Sequence, residues 1–225
     1  MVHGADCVGF EELGLLSVTA FIVGLSGALM PGTVFVAVVL QAARKGWKVG
    51  PLIVLGHALL ETGFGIALVL GLSAVMGVQI VRTTIGFVGG IFLLWMGFSL
   101  LKTSRHAEIL TTSTSGQEPP LVSSAPVLAG LVASSINPYF YVWWATVGNV
   151  FTMKGLELAG LLGVAVFLVS HWMSDLSWYT LISLSVGKSR RYMSNRIYRA
   201  ILGVCGLFLI VLGSAFIHGA LSGTI

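Results

Sequence analysis

The sequence predicts an all-α integral membrane protein of six transmembrane helices, arranged as two inverted three-helix repeats. Three observations predict this fold: the composition, the lengths of the apolar segments, and a similarity between the two halves of the chain. The 225 residues are 56% hydrophobic and only 9% charged, whereas a soluble domain carries about 25% charged residues. The composition is therefore that of a polytopic protein whose main partner is the lipid bilayer.

Six apolar segments are long enough to cross a bilayer, which takes about 20 helical residues. They are residues 13–43, 52–76, 80–101, 126–148, 156–186 and 197–217. The first and the fifth exceed the length of one straight crossing, which allows a tilt or a break. Residues 1–101 are then the first repeat, residues 102–124 a flexible cytoplasmic linker rich in Ser, Thr and Pro, and residues 125–225 the second repeat.

The basic residues lie in the turns between the apolar segments. The first, third and fifth loops contain all of the twelve Lys and Arg residues except Arg82 and Lys154. Cytoplasmic loops of membrane proteins carry such an excess, so we expect these loops in the cytoplasm and both termini outside it. The expected location is the inner or plasma membrane. Basic cytoplasmic loops account for the net charge of +4, so we expect no nucleic-acid partner.

Two motifs with the same spacing lie deep in apolar sequence, and we call them the His-acid motifs. His57 is followed by Glu61, and His171 is followed by Asp175. On a helix, this i,i+4 spacing places both side chains of a motif on one face. A carboxylate in lipid pairs with a cation or takes up a proton, and intramembrane acids usually mark a pathway or a binding site. Both acids therefore suit a substrate amine or a coupling proton, unless each is a neutral structural acid bonded between helices.

The histidines of these motifs leave two interpretations open. Each imidazole can simply orient and tune the neighbouring carboxylate. Alternatively, two imidazoles and two carboxylates form an N/O ligand set for a transition metal. The metal interpretation requires both motifs to converge within coordination distance, and its ligands are His57, Glu61, His171 and Asp175.

The two halves of the chain also resemble each other outside these motifs. Residues 90–97 in the third span read GIFLLWMG, and residues 206–213 in the sixth read GLFLIVLG. The first and fourth spans each carry a proline within the span, Pro31 and Pro138. Three spans per half make the second copy enter from the opposite side, which is the inverted repeat of many secondary transporters.

Both prolines predict a break in their spans. Pro31 is followed by Gly32, and Pro138 is preceded by Asn137. A broken span exposes the N–H groups of the half-helix beyond it, and these attract an anionic group such as a carboxylate. The alternative is a plain kink whose backbone groups are satisfied by neighbouring side chains.

Aromatic residues follow the second break, and an aromatic belt at the membrane surface is the commoner explanation for them. They are Tyr139, Tyr141, Trp143 and Trp144. Tyr139 is close enough to the break to reach a substrate.

In their order and spacing, these features resemble the lysine exporter (LysE/RhtB) family of amino acid exporters over nearly the whole chain. The matching features are Pro31-Gly32, a basic turn with Gly46 and Gly50, Gly56 with an acid five residues on, Asn137-Pro138, and an acid in the fifth span. The chain departs from the family pattern at Thr33, where a second proline is common, at Leu60-Glu61, where Gly-Asp is common, and at both motif histidines. Relatives in the wider superfamily move cations.

The resemblance and the residues together predict a secondary transporter that exports an amino acid or a similar small zwitterion by proton exchange. The residues expected to bind the substrate lie at the breaks and the acids: Pro31, Gly32, Glu61, Asn137, Pro138, Tyr139 and Asp175. The residues expected to couple protons are those of the motifs: His57, Glu61, His171 and Asp175.

A divalent-cation transporter is the alternative function, followed by a membrane-embedded metal-dependent hydrolase. No nucleophile or HExxH-type motif stands in a span, so we expect no enzyme activity, and no cofactor. The resemblance also implies a homodimer.

Overall fold

The computed structural model describes residues 3–30, 32–76, 78–105, 124–189 and 194–223, and every regular element in these ranges is helical. The α-helices, numbered in chain order, are α1 (His3–Ala28), α2 (Thr33–Lys45), α3 (Val49–Ala67), α4 (Ser73–Met76), α5 (Gln79–Ser104), α6 (Pro126–Ser135), α7 (Pro138–Trp143), α8 (Asn149–Ala159), α9 (Leu161–Ser189) and α10 (Asn195–Ser222). Wider π-type turns join α3 to α4 (Leu68–Leu72) and α7 to α8 (Trp144–Gly148).

Five helical stretches of the described ranges are long and apolar enough to cross a membrane. They are Gly9–Ala28, Val49–Val75, Gln79–Lys102, Leu161–Ser189 and Leu202–Ser222. Large apolar side chains on these stretches point outward, as lipid contact requires; Leu70, Trp95 and Val211 are among them. The structure is therefore that of an all-helical membrane protein.

The first predicted span is broken where the sequence indicated. α1 ends at Ala28 and α2 begins at Thr33, with Gly32 in an extended conformation before it. Pro31 itself lies outside the described residues. The hydroxyl of Thr33 donates a hydrogen bond to the carbonyl of Ala133 at 2.6 Å, so the second half-helix is fixed against α6.

The fourth predicted span, residues 126–148, is also broken and contains no single long helix. α6 ends at Ser135, and α7 begins at Pro138 with Asn137 as its N-cap. The Asn137 side chain accepts a hydrogen bond from the backbone N–H of Tyr139 at 3.2 Å. Proline at the first helical position has no N–H to satisfy, so this start of a helix follows from local chemistry.

The predicted start of the fifth span, residue 156, is wrong. Residues 156–159 belong to α8, and a turn at Gly160, with φ of +60°, separates α8 from α9. The apolar run continues through this turn, so hydropathy does not reveal it. The turn is tight because Gly155 and Gly163 meet backbone to backbone.

Three pairs of helices make the main contacts of the bundle: α1 with α9, α3 with α6, and α5 with α10. Glycines allow the closest approaches. A Cβ at Gly97 would lie 2.7 Å from the carbonyl oxygen of Gly206, and one at Gly213 would lie 2.7 Å from that of Gly90. α9 also packs on α2, α3 and α8, and this central position places its polar side chains in the interior.

Candidate functional site

The two His-acid motifs meet in the interior and form one group of side chains, His57, Glu61, His171 and Asp175, which we call the His–carboxylate cluster. His171 Nε2 lies 2.9 Å from Glu61 Oε1, and His57 Nε2 lies 3.2 Å from the same oxygen. Asp175 Oδ2 lies 3.5 Å from His171 Nε2 and 3.8 Å from His57 Nε2. Each histidine thus faces both carboxylates, its own and that of the other motif.

Close helix crossings hold the two helices that carry the motifs, α3 and α9, against their neighbours. A Cβ at Gly56 would overlap the carbonyl of Val127, and one at Gly130 would overlap the carbonyl of Ile53. α3 and α6 therefore touch through their backbones, which small residues allow between membrane helices. Gly24 plays a similar part where α1 meets α9, because a Cβ there would overlap the side chain of Ser174.

Ser134 on α6 holds His57 from the far side of its imidazole. The Ser134 Oγ lies 2.6 Å from His57 Nδ1 and 2.7 Å from the carbonyl oxygen of Gly130. A carbonyl oxygen can only accept, so the hydroxyl hydrogen of Ser134 is donated to Gly130. The Oγ must then accept from His57, which places a hydrogen on Nδ1.

His171 is held by aromatic side chains instead. Its imidazole stacks on the indole of Trp143, with ring centroids 4.4 Å apart and an angle of 19° between the planes. Phe167 stacks on it from one helical turn earlier, with centroids 6.0 Å apart. Its Nδ1 is buried and has no hydrogen-bond partner in the described part of the chain.

The two carboxylates are almost fully buried, with 1% of Glu61 and 2% of Asp175 exposed. Within the described ranges, Glu61 Oε2 has no hydrogen-bond partner, and Asp175 Oδ2 is near both histidines without a hydrogen bond. Burying an ionised carboxylate is costly unless it is paired with a charge or coordinates a metal. The cluster therefore requires a positive charge, from a protonated imidazole, a bound proton, or a cation.

A small cavity of about 40 Å³ opens beside the cluster and connects it to both helix breaks. It is lined by all four cluster side chains and by residues of the breaks and the aromatic segment, including Met30, Gly32, Asn137, Tyr139, Trp143 and Tyr179. The two breaks adjoin, since a Cβ at Gly32 would lie 3.1 Å from Asn137 Nδ2. Pro31 lies outside the described residues, as does the side chain of Pro138.

The aromatic-belt interpretation is wrong for two of the four aromatic residues. Trp144 is 1% exposed and Trp143 is 7% exposed, and both belong to an interior cluster with Phe140 and Phe167. Their place in the sequence, a few residues after a proline, resembles a membrane-surface segment. The burial arises because Trp143 packs on His171 and Trp144 on Phe167, both side chains of α9, which composition alone does not indicate.

Sequence reasoning did not single out Ser134, Phe140 or Tyr179, although all three are buried at the cluster or its cavity. The signal for Ser134 was present, as it lies one helical turn before Pro138, near the second break. Serine is common in membrane helices, so only the crossing of α3 and α6 identifies it as a partner of His57.

Comparison with protein-family models assigns the chain to a family. The model of the family described as LysE type translocator matches residues 25–220, whereas no curated protein and no solved structure matches the chain. The matched residues include both breaks and all four residues of the cluster. Because the match covers far more than half of the sequence, this membrane protein belongs to the family of LysE type translocators.

Proposed function

We propose that this translocator exports a small zwitterion, in the first instance an amino acid, in exchange for protons. One observation carries the proposal: a single cavity is lined by both helix breaks and by both buried acids. A zwitterion needs an anion-binding group and a cation-binding group a few ångströms apart, and the two features supply them.

The start of α2 is the proposed site for the substrate carboxylate. Its N-cap is Gly32, which offers no side-chain cap, so the first N–H groups of this 13-residue helix remain to bind an anion. The Asn137 amide beside Gly32 contributes a further donor. Its Oδ1 accepts from the N–H of Tyr139, which turns its Nδ2 toward Gly32.

The His–carboxylate cluster is the proposed site for the substrate amine and for the coupling proton. An ammonium group is a hydrogen-bond donor with a positive charge, which are the two properties that Glu61 and Asp175 require. Proton and amine would then compete for the same carboxylates, and this competition couples export to proton entry. The histidines would orient the acids and pass protons to them.

The helix pairing supports alternating access by two inverted repeats. A two-fold axis that exchanges the halves would exchange the first span with the fourth and the second with the fifth. It would thus convert the contact of α1 with α9 into that of α6 with α3, and both are main contacts of the bundle. It would also pair the third span with the sixth, as α5 and α10 are paired.

We propose that the first, third and fifth loops are cytoplasmic and that both termini are outside. The structure supports placing these loops at one end of the bundle. Lys45 after the first span donates to the carbonyl of Ser124 before the fourth, at 2.9 Å. Gly187, which precedes the fifth loop, packs against Trp47 of the first. The homodimer implied by the family resemblance stays a prediction.

The test is counterflow in proteoliposomes that contain the purified protein. Vesicles loaded with one unlabelled amino acid at a time are diluted into the same labelled amino acid, and an inward proton gradient is then added. We expect exchange for at least one amino acid and stimulation by the gradient. Protein-free vesicles are the control, and failure of every amino acid to exchange would refute the proposed cargo.

A further inference from the structure

We propose that the His–carboxylate cluster binds one divalent transition-metal ion, with His57 Nε2, Glu61 and Asp175 as ligands and with Ser134 and His171 as positioning residues. The proposal rests on the proposed function in one respect, that the cluster is the transport site. It adds a divalent metal ion as a second class of cargo for that site.

The hydrogen bond between Ser134 and His57 is the first observation behind it. Because the Ser134 hydroxyl donates its hydrogen to the carbonyl of Gly130, its oxygen accepts from His57, and His57 Nδ1 carries a hydrogen. A neutral His57 then has its lone pair on Nε2, which points at Glu61 Oε1 and Asp175 Oδ2. A lone pair facing two carboxylate oxygens is repulsive unless a proton or a metal cation lies among the three, and the next two observations favour the metal. Histidine ligands of metals usually donate their other N–H in this manner.

The spacing of the ligand atoms is the second observation. His57, Glu61 and Asp175 each offer an atom within 4.8 Å of the atoms offered by the other two. Ligand atoms bound to one metal at about 2.0–2.2 Å lie roughly 3–4 Å apart, and the 3.8 Å between His57 Nε2 and Asp175 Oδ2 is of this size.

The third observation is that carboxylate oxygens remain for a metal. Glu61 Oε2 and Asp175 Oδ2 are buried without a hydrogen bond in the described ranges. His171 Nε2 holds the other oxygen of Glu61, Oε1, at 2.9 Å. We therefore assign His171 the role of orienting Glu61, and its stacking on Trp143 fixes its own position.

The ligand set indicates which ions would bind. One imidazole and two carboxylates suit Mn²⁺, Fe²⁺, Co²⁺ or Zn²⁺, and the nitrogen ligand disfavours Mg²⁺, which prefers oxygen. With both acids ionised and both histidines neutral, the cluster carries two negative charges, which a divalent ion balances. The cavity of about 40 Å³ has room for an ion with a water molecule.

The experiment is a titration of metal-free protein in detergent with Co²⁺, followed by its visible absorption. We expect one saturable site per chain, displaced by Zn²⁺ and unaffected by Mg²⁺. Glu61→Gln and Asp175→Asn should abolish the absorption signal. Ser134→Ala should weaken Co²⁺ affinity by about 10- to 100-fold, because Ser134 holds the ligand His57 in place without touching the metal. Ser135→Ala is the matched control, because Ser135 makes the same kind of bond to Leu131 without touching His57.

Absence of a saturable site, or equal affinity in Ser134→Ala and the unchanged protein, would overturn the proposal. Proteoliposome uptake of Mn²⁺ or Zn²⁺ decides whether the ion is cargo: uptake lost in Glu61→Gln supports the proposal, and binding without uptake refutes the cargo assignment. Amino acid counterflow in the same vesicles is scored separately. Counterflow without Co²⁺ binding would leave the proposed function standing and remove only this inference.

Discussion

The two His-acid motifs have the same spacing and the same burial of their acids, yet their histidines have different surroundings. His57 is hydrogen-bonded through Nδ1 to Ser134 and retains 12% side-chain exposure. His171 has no partner for Nδ1 in the described residues and is packed against Trp143 and Phe167. The hydrogen position is fixed for one imidazole and open for the other.

This difference shows that a sequence repeat need not produce two equal half-sites. Both motifs offer a carboxylate, but only His57 has its Nε2 lone pair fixed toward the carboxylates by a second side chain. His171 is free to carry its hydrogen on Nε2 and to donate it to Glu61. We infer that α3 supplies the cation-binding nitrogen and that α9 supplies an acid and its support.

The largest expected effect comes from neutralising the acids. Glu61→Gln and Asp175→Asn keep size and hydrogen bonding but remove the charge that a proton or a cationic group requires. Each should abolish proton-driven exchange while the protein still inserts and folds, with Glu61→Gln the more severe because both histidines contact Glu61 most closely. The measurement is export driven by a pH gradient in proteoliposomes.

Glu157→Gln is the matched control for this comparison, since Glu157 is an exposed acid on α8 outside the cluster. It should transport normally. Full activity in both cluster variants would show that neither acid takes part in coupling, and would contradict the proposed mechanism.

An intermediate effect is expected at the crossing that holds His57 in place. Gly56→Ala places a Cβ against the backbone of Val127, and such overpacking costs roughly 1–3 kcal/mol or more. Gly63→Ala, in the same helix, meets nothing within 4 Å and should leave stability nearly unchanged. Thermal unfolding in detergent measures both, and equal melting temperatures would contradict the close crossing.

Much of the fold was predictable because its signals are local. Long apolar runs indicated the spans, and a proline within a run indicated each break. Hydropathy does not reveal the turn at Gly160, because residues 158–163 read LAGLLG and contain no polar side chain, and the two helices pack through Gly155 and Gly163. A helix hairpin whose turn is itself apolar has the hydropathy of one long helix.

The candidate site was predictable to the level of its charged groups. An acid deep in apolar sequence is rare enough to identify Glu61 and Asp175. The i,i+4 spacing then places His57 and His171 on the same helix faces as these acids. The contact of Ser134 with His57 depends on how α3 crosses α6, and the stacking of Trp143 on His171 depends on how α7 meets α9. Both contacts depend on how two helices cross, and the pattern of residues in a single sequence does not reveal helix crossings.

The smallest expected effect is that of His171→Gln, and the comparison with His57→Gln tests whether the two histidines differ. His57→Gln removes a proposed ligand and should abolish Co²⁺ binding, as loss of either acid does. His171→Gln removes the contact that orients Glu61 but no proposed ligand. It should therefore weaken Co²⁺ binding by about tenfold, as the loss of a side chain that holds a ligand does, and slow amino acid exchange less than the acid variants do. An equal loss of Co²⁺ binding in the two variants would mean that both imidazoles are ligands. Unchanged Co²⁺ binding in His57→Gln would instead assign the nitrogen ligand to His171. The inference that the hydrogen bond with Ser134 makes His57 the ligand would then be wrong.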